Sequence, residues 1–292
     1  MNPLADDAPG DPDDAELVAR GKAGSREAIE ALVTRHQRWI YNIVRRMTYG
    51  RPDAEDATQE ILIKAITKLG TFEARSSFRT WLYRIVVNHV LNMKRNTAEA
   101  AGWDFARYGK ALDDMPDAEL ADPGGVAADR HVLIEEAKIL CTSGMLLCLD
   151  REQRLVIVLG EILGVSDRVG ADLLEISRDS FRQKLARARR DLHNFLHDKC
   201  GLVNAANPCR CAKKTAAFIH AGFVRPDDLR FAKARFEHVR EATGDALEAL
   251  SGLDAAYAAI YRDHPFHESP DFVGRVRTLL ADGRFTRPLE LP

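Results

Sequence analysis

The chain of 292 residues is 46% apolar and 29% charged, which is ample for a buried core and excludes a chain that is disordered throughout. Its 42 Lys and Arg nearly balance 44 Asp and Glu, and a net charge of −2 excludes a uniformly basic nucleic-acid coat while leaving room for local basic patches. No run reaches the about 18 uncharged apolar residues of a membrane span. Met1–Glu16, with six acids and no base, lacks the basic start of a secretory leader, so a cytoplasmic protein is expected.

Strand-type alternation is rare and aromatics make up only 7%; helical spacing dominates, and an all-α fold is expected. Five pieces follow from composition: a loose acidic tail (1–13), a helical block (14–96), an acidic linker (97–130), a second helical block (131–198) and a C-terminal helical extension (199–292). The expected architecture is two small helical domains joined by the linker, with the extension appended.

In the first block Ser25 is the expected cap of a helix running to about Thr48, with Ile29, Leu32, Val33, Trp39, Ile40, Ile43, Val44 and Met47 as its apolar positions. Pro52 and Asp53 open a second helix whose buried face is Ala57, Ile61, Leu62, Ala65, Ile66 and Leu69; Gln59, Glu60 and Lys64 fall on another face. A third helix is predicted from about Ser77 to Arg95. Arg84, Asn88, Asn92 and Arg95 line one side of it, and Phe78–Arg95 holds four bases and no acid. Arg and Asn are side chains that contact phosphates and base edges. Phe72, Phe78 and Trp81 flank the loop Glu73–Ser77. Two readings stay open: core rings, or a pocket for an unstacked base.

Between Ala111 and Asp129 lie six acids, no Lys or Arg, two prolines and Gly124-Gly125. Such a segment is expected to stay extended, either as a solvated loop or as a polyanion that enters a basic channel in a partner. Beyond it, Glu152–Gly160 reads as a helix, Ser166 caps a short one through Leu174, and Ser177 caps a longer one. Phe181, Leu185, Ala188, Leu192 and Phe195 form the buried stripe of that last helix. Arg178–Arg190 carries six bases and one acid. Short helix, tight turn and basic helix describe a helix-turn-helix, against the plainer alternative of a solvated bundle helix. Glu175 occupies the turn where Gly is common; a left-handed Glu costs about 1–2 kcal/mol, so two readings stay open, a turn formed differently or a slightly strained one.

"DAEDATQEILIKAITKLGTFEARSSFRTWLYRIVVNHVLNMKR" (Asp53–Arg95) resembles the second conserved region of extracytoplasmic-function sigma factors of the sigma-70 family. "LDREQRLVIVLGEILGVSDRVGADLLEISRDSFRQKLARARRDL" (Leu149–Leu192) resembles their fourth region. The resemblance implies a promoter-specificity subunit of bacterial RNA polymerase with no catalytic residue of its own. It implies that the Asp53–Lys64 helix docks on the clamp of the largest core subunit through Asp56, Gln59 and Glu60. It assigns the −10 promoter element to Phe72, Ser76, Arg79, Trp81, Arg84 and Asn88, and the −35 element to Arg178, Asp179, Arg182, Gln183 and Arg187. The linker would thread toward the RNA exit path, and an anti-sigma partner is a further possibility.

Past Asp198 the chain continues for more than ninety residues. His197, Cys200, Cys209 and Cys211 are close in sequence, and three readings stay open: a structural zinc site, a thiol redox switch, or plain buried thiols. No other cofactor is expected. Helical stretches are predicted near 227–242, 244–261 and 271–280, with His264 and His267 read as loop residues. The extension is expected to regulate in cis. No Walker loop, Rossmann glycine pattern or catalytic triad supports an enzyme. The competing function is a helix-turn-helix regulator with a zinc- or thiol-based sensor extension.

Overall fold

The computed structural model describes residues 12–48, 50–93, 102–120, 130–227, 229, 261 and 269–281. Among them there are helices and no β-strand, only one isolated bridge between Cys200 and Cys209. The all-α expectation holds. Most of the acidic tail, the predicted helices near 227–242 and 244–261, and His264 and His267 lie outside the described residues.

The chain divides into two compact units, residues 1–96, 163–182 and 268–292 in the first and 97–162 and 183–267 in the second. The first unit begins with α1 (Pro12–Lys22), α2 (Arg26–Met47) and α3 (Arg51–Thr67). A 3-10 turn at Leu69–Thr71 leads to α4 (Phe78–Asn92). Ser25 caps α2 by accepting from the Ala28 amide, and Ser77 caps α4 by accepting from the Thr80 amide. All eight apolar positions anticipated on α2 are buried. The face Ala57, Ile61, Leu62 and Ala65 is buried on α3.

A polar chain runs through this core. The Trp39 Nε1–H donates to His36 Nδ1 at 3.1 Å, which leaves His36 Nε2 as the N–H facing Asp14 Oδ1 at 3.2 Å. Burial pushes the Asp14 carboxyl up, but His36 and Arg35 outweigh it and hold the carboxyl below its ordinary range. Trp39 stacks on Tyr83 of α4 with centroids 4.0 Å apart, so one chain of contacts ties α1, α2 and α4 together.

The second unit holds α5 (Phe105–Asp114), α6 (Arg130–Leu146) and α7 (Arg151–Ile157), the last continued by one π turn, Val158–Ile162. Asp150 and Gln153 form a reciprocal capping box at the start of α7. Arg154 is 1% exposed and donates to the carbonyls of Leu146 (2.9 Å), Leu147 (3.2 Å) and Leu149 (3.0 Å), closing the C-terminal end of α6.

Helix α5 corrects the expectation of an extended linker. Asp104 caps it, accepting from the Arg107 amide at 2.8 Å. Its buried Tyr108 donates to the Cys141 carbonyl at 2.9 Å, and Phe105 lies 5.1 Å from Phe195. A side chain at Gly144 would collide with the Tyr108 ring, so the glycine is what lets α5 sit so close to α6. The acids that follow are paired within the unit: Asp113 with Lys199 at 2.5 Å and Asp117 with Lys214 at 3.0 Å. The Ala118 amide donates to the Lys213 carbonyl at 3.0 Å, and Lys214 Nζ to that of Met115 at 2.5 Å. The acids after it dominate the local composition and mask the helical spacing of Phe105, Tyr108 and Leu112.

Candidate nucleic-acid interface

Helix α8 (Asp167–Leu174), in the first unit, is capped by Ser166. It ends on Glu175, whose φ of 55° and ψ of 39° are left-handed; the Glu175 amide returns to the Ala171 and Asp172 carbonyls. Of the two readings, the turn therefore takes the strained, left-handed one. Three residues later α9 (Arg178–Lys199) starts, with Ser177 Oγ accepting from the Ser180 amide at 3.1 Å. Phe181 is buried against Gly170, where a Cβ would overlap the ring. Turn and glycine together fix the angle between the two helices.

All five residues assigned to the −35 element, Arg178, Asp179, Arg182, Gln183 and Arg187, are exposed along α9, whereas Phe181, Ala188 and Leu192 are buried. The helix thus offers a cationic stripe backed by an apolar one. Arg182 is not idle in the free chain: it bonds Asp167 of α8 and lies 3.7 Å from Asp179. In the second unit, Lys184 pairs with Glu152 at 2.5 Å and Gln153 Nε2 donates to Asp191 at 3.0 Å, so polar contacts brace α9 from below.

The α4 face is built differently. Phe72, Phe78 and Trp81 form one cluster with centroids 5.4–5.7 Å apart. Phe72 and Phe78 are buried; Trp81 is half-buried at its margin. The two phenylalanines serve as core, which leaves Trp81 as the ring accessible from outside. The loop between carries Ala74 at a φ of 56°, with Arg75 paired to Glu73 at 2.6 Å and Ser76 donating to the Ser77 carbonyl at 3.3 Å. Lys22 of α1 holds the Phe72 carbonyl. Asn88 is exposed and Arg79 half-buried. Arg84 donates to Asp172 of α8 at 2.8 Å, a partner 88 residues away that its own helix gave no sign of.

On α3, Asp56 and Glu60 are exposed and Gln59 half-exposed. His89 of α4 reaches toward this face: Lys64 Nζ lies 2.8 Å from its Nδ1 and Glu60 Oε2 3.8 Å from its Nε2. Burial first, then the Lys64 charge, lowers the His89 pKa, against the opposing Glu60. A neutral ring accepting from Lys64 therefore links α3 to α4.

Cys200, Cys209 and Cys211, for which a zinc site with His197 is one of three readings open from sequence, do not gather around His197. Its side chain is exposed and turned to Asp198 at 3.3 Å. Among the described residues no three His, Cys, Asp or Glu side chains stand as a group able to hold a metal ion, and all five cysteines are free thiols. The neighbour of Cys200, Cys209 and Cys211, the last opening α10 (Cys211–His220), is instead Cys141 on α6: burial, then Cys211, Cys200 and Cys209, raise its pKa. Burial likewise pushes Cys211 up to about 12. Cys141, Cys209 and Cys211, all raised by burial, stay protonated at neutral pH.

A short capped helix, a left-handed turn and a basic exposed helix define a helix-turn-helix DNA-binding protein. Comparison with known proteins narrows the class. The profile of Sigma-70 region 2 matches residues 32–99. The ECF RNA polymerase sigma factor SigM of Mycobacterium tuberculosis H37Rv is 33% identical over 183 residues, 63% of this chain and 84% of SigM. CnrH of Cupriavidus metallidurans, an RNA polymerase sigma factor, is 30% identical over 197 residues, 63% of this chain and 96% of CnrH. The ECF sigma-E factor of Escherichia coli K12 is 29% identical over 185 residues, 62% of this chain and 93% of that factor. A solved structure of CnrH in complex with the cytosolic domain of CnrY aligns over 64% of this chain with 24% identity and a TM-score of 0.42. The chain belongs to the ECF RNA polymerase sigma factors.

Proposed function

We propose that this chain joins core RNA polymerase through α3 and brings two separate helical faces to promoter DNA. The exposed stripe of α9 supports the −35 assignment: Arg178, Arg182, Gln183 and Arg187 stand outward, with Arg182 and Gln183 in the part of a recognition helix that meets base edges in the major groove. At the −10 element, Arg79, Arg84 and Asn88 approach the strand. Trp81, the outer ring of its cluster, meets a base leaving the stack, while Phe72 and Phe78 hold the loop carrying Ser76. Asp56, Gln59 and Glu60 meet the polymerase.

The arrangement binds and positions; it performs no bond chemistry of its own. Opening the duplex costs a few kcal/mol per unstacked step, and a pocket that receives a base offsets part of that. A chain of net charge −2 has little long-range attraction to DNA, so polymerase contacts supply the rest. Arg84 and Arg182 must also leave Asp172 and Asp167 before reaching DNA. An anti-sigma factor would act on the same faces.

Run-off transcription with purified core polymerase on a promoter library tests the proposal. Initiation confined to templates sharing two spaced elements is the expected result. Tight, sequence-specific binding by the chain alone, with no transcription when core is added, would instead identify a free-standing regulator.

A further inference from the structure

The last described helix, α11 (Phe272–Ala281), belongs to the first unit and lies on α2 and α3. Its seat is specific. Asp271 caps it, accepting from the Gly274 amide at 3.2 Å, and Gln37 of α2 accepts from the Phe272 amide at 3.2 Å. Phe272 and Val276, one turn apart, are 0% and 1% exposed, and the Phe272 ring sits 6.0 Å from that of Tyr41. Arg277 grips Glu30 with two donors, Nε at 2.9 Å and a terminal nitrogen at 2.6 Å. Arg275 lies over the Phe272 ring and pairs with Glu55 of α3 at 2.9 Å.

Glu55 is one helical turn before Gln59 and next to Asp56, so α11 closes on the edge of the face assigned to core polymerase. Charge complementarity is local: two arginines of α11 meet two glutamates, one on each of two helices. Both glutamates register the contact. Arg277 holds the Glu30 carboxyl below its ordinary range; burial pushes Glu55 up, but Arg51 and Arg275 bring it below. Each pair is at the surface, where single ion pairs are weak, and among the described side chains of α11 the buried apolar anchors are Phe272 and Val276. The helix is held firmly enough to occupy the site and loosely enough to leave it.

We propose that α11 is an autoinhibitory occupant of the α2–α3 surface, and that core polymerase binds the chain productively only when α11 lifts away. This rests on the reading that α3 is the polymerase-docking helix. If the binding-competent state is a minor fraction, the apparent dissociation constant for core is raised by the inverse of that fraction. A closed state holding about four-fifths of the molecules or more gives an effect of fivefold or more.

The test uses the full chain, fluorescently labelled, with purified core polymerase. Val276→Asp places a carboxylate under α11 without touching α2 or α3. Arg277→Glu breaks the bidentate pair, and Glu30→Arg added to Arg277→Glu restores it with the charges exchanged. Val276→Asp and Arg277→Glu are expected to tighten core binding at least fivefold, and the exchanged pair to return to the wild-type value. Hydrogen exchange across residues 270–281 is expected to show α11 protected in the wild type and unprotected in Val276→Asp. Unchanged or weaker core binding with α11 released overturns the proposal, as does equal protection in both proteins. Failure of every variant and the wild type to bind core refutes the polymerase reading itself, and the autoinhibition with it.

Discussion

Arg154 offers the most direct check on how the second unit is held. Arg154→Met keeps most of the stem volume and removes the guanidinium, leaving the carbonyls of Leu146, Leu147 and Leu149 without their donor. The Leu146 carbonyl keeps the Leu149 amide at 3.2 Å, but those of Leu147 and Leu149 are stranded at about 1–3 kcal/mol each, and the group is 1% exposed, so water does not readily replace it. Against this stands the relief of no longer burying a cation, itself several kcal/mol. Hydrogen bonds to a charged group are worth about 1.5–3 kcal/mol each, so with this relief set against three of them the net loss is about 3–5 kcal/mol. Hydrogen exchange resolved along the chain reads it locally: protection of the α6 and α7 amides is expected to fall by roughly two to three and a half decades. Arg154→Lys, a single point donor, falls between. A loss below about 1 kcal/mol in the Met variant would refute the view that this side chain closes the end of α6.

Three further outcomes follow from the interface. Glu175→Gly removes a left-handed penalty of about 1–2 kcal/mol and adds about 0.5–1 kcal/mol of chain freedom to the unfolded state, so a gain of roughly 0.5–1 kcal/mol is expected in thermal unfolding; a loss would mean the Glu175 side chain has a role beyond the turn. Arg182→Ala is expected to weaken holoenzyme binding to a −35 element by about 1–3 kcal/mol, and an equal loss on every DNA sequence would mark a phosphate contact instead. Gln59→Ala combined with Glu60→Ala is expected to impair core binding with the far-ultraviolet circular dichroism unchanged; intact binding would move the polymerase face off this side of α3.

What could be read from sequence was what nearest neighbours on one element decide. Ser25, Ser77 and Ser166 stand where a cap is needed, with apolar residues at helical spacing behind them, and each caps its helix. At Glu175 the sequence left a strained turn and a differently formed one equally open, and the chain takes the strained, left-handed one. The partners of the charged site residues were hidden for the opposite reason. Asp172 is an ordinary exposed acid until α8 comes to rest beside α4, and Glu30 is unremarkable until a helix some 240 residues later packs on it. Such pairings are set by chain topology, which no local spacing encodes. Helix α5 was missed because the acids after it dominated the composition of the window, although its own apolar residues kept helical spacing.

The bonds from Lys199, Lys213 and Lys214 to the segment 113–118 bear on how such a protein can be taken apart or reassembled. Lys214 is 8% exposed and spends its ammonium on a mid-chain carbonyl and carboxylate. A shortened chain ending at the recognition helix would strand both, so its behaviour would report damage to a shared folding unit as much as loss of a tail. In evolution the same bonds favour joint inheritance: a tail borrowed by recombination from another lineage would arrive without the matching acids upstream.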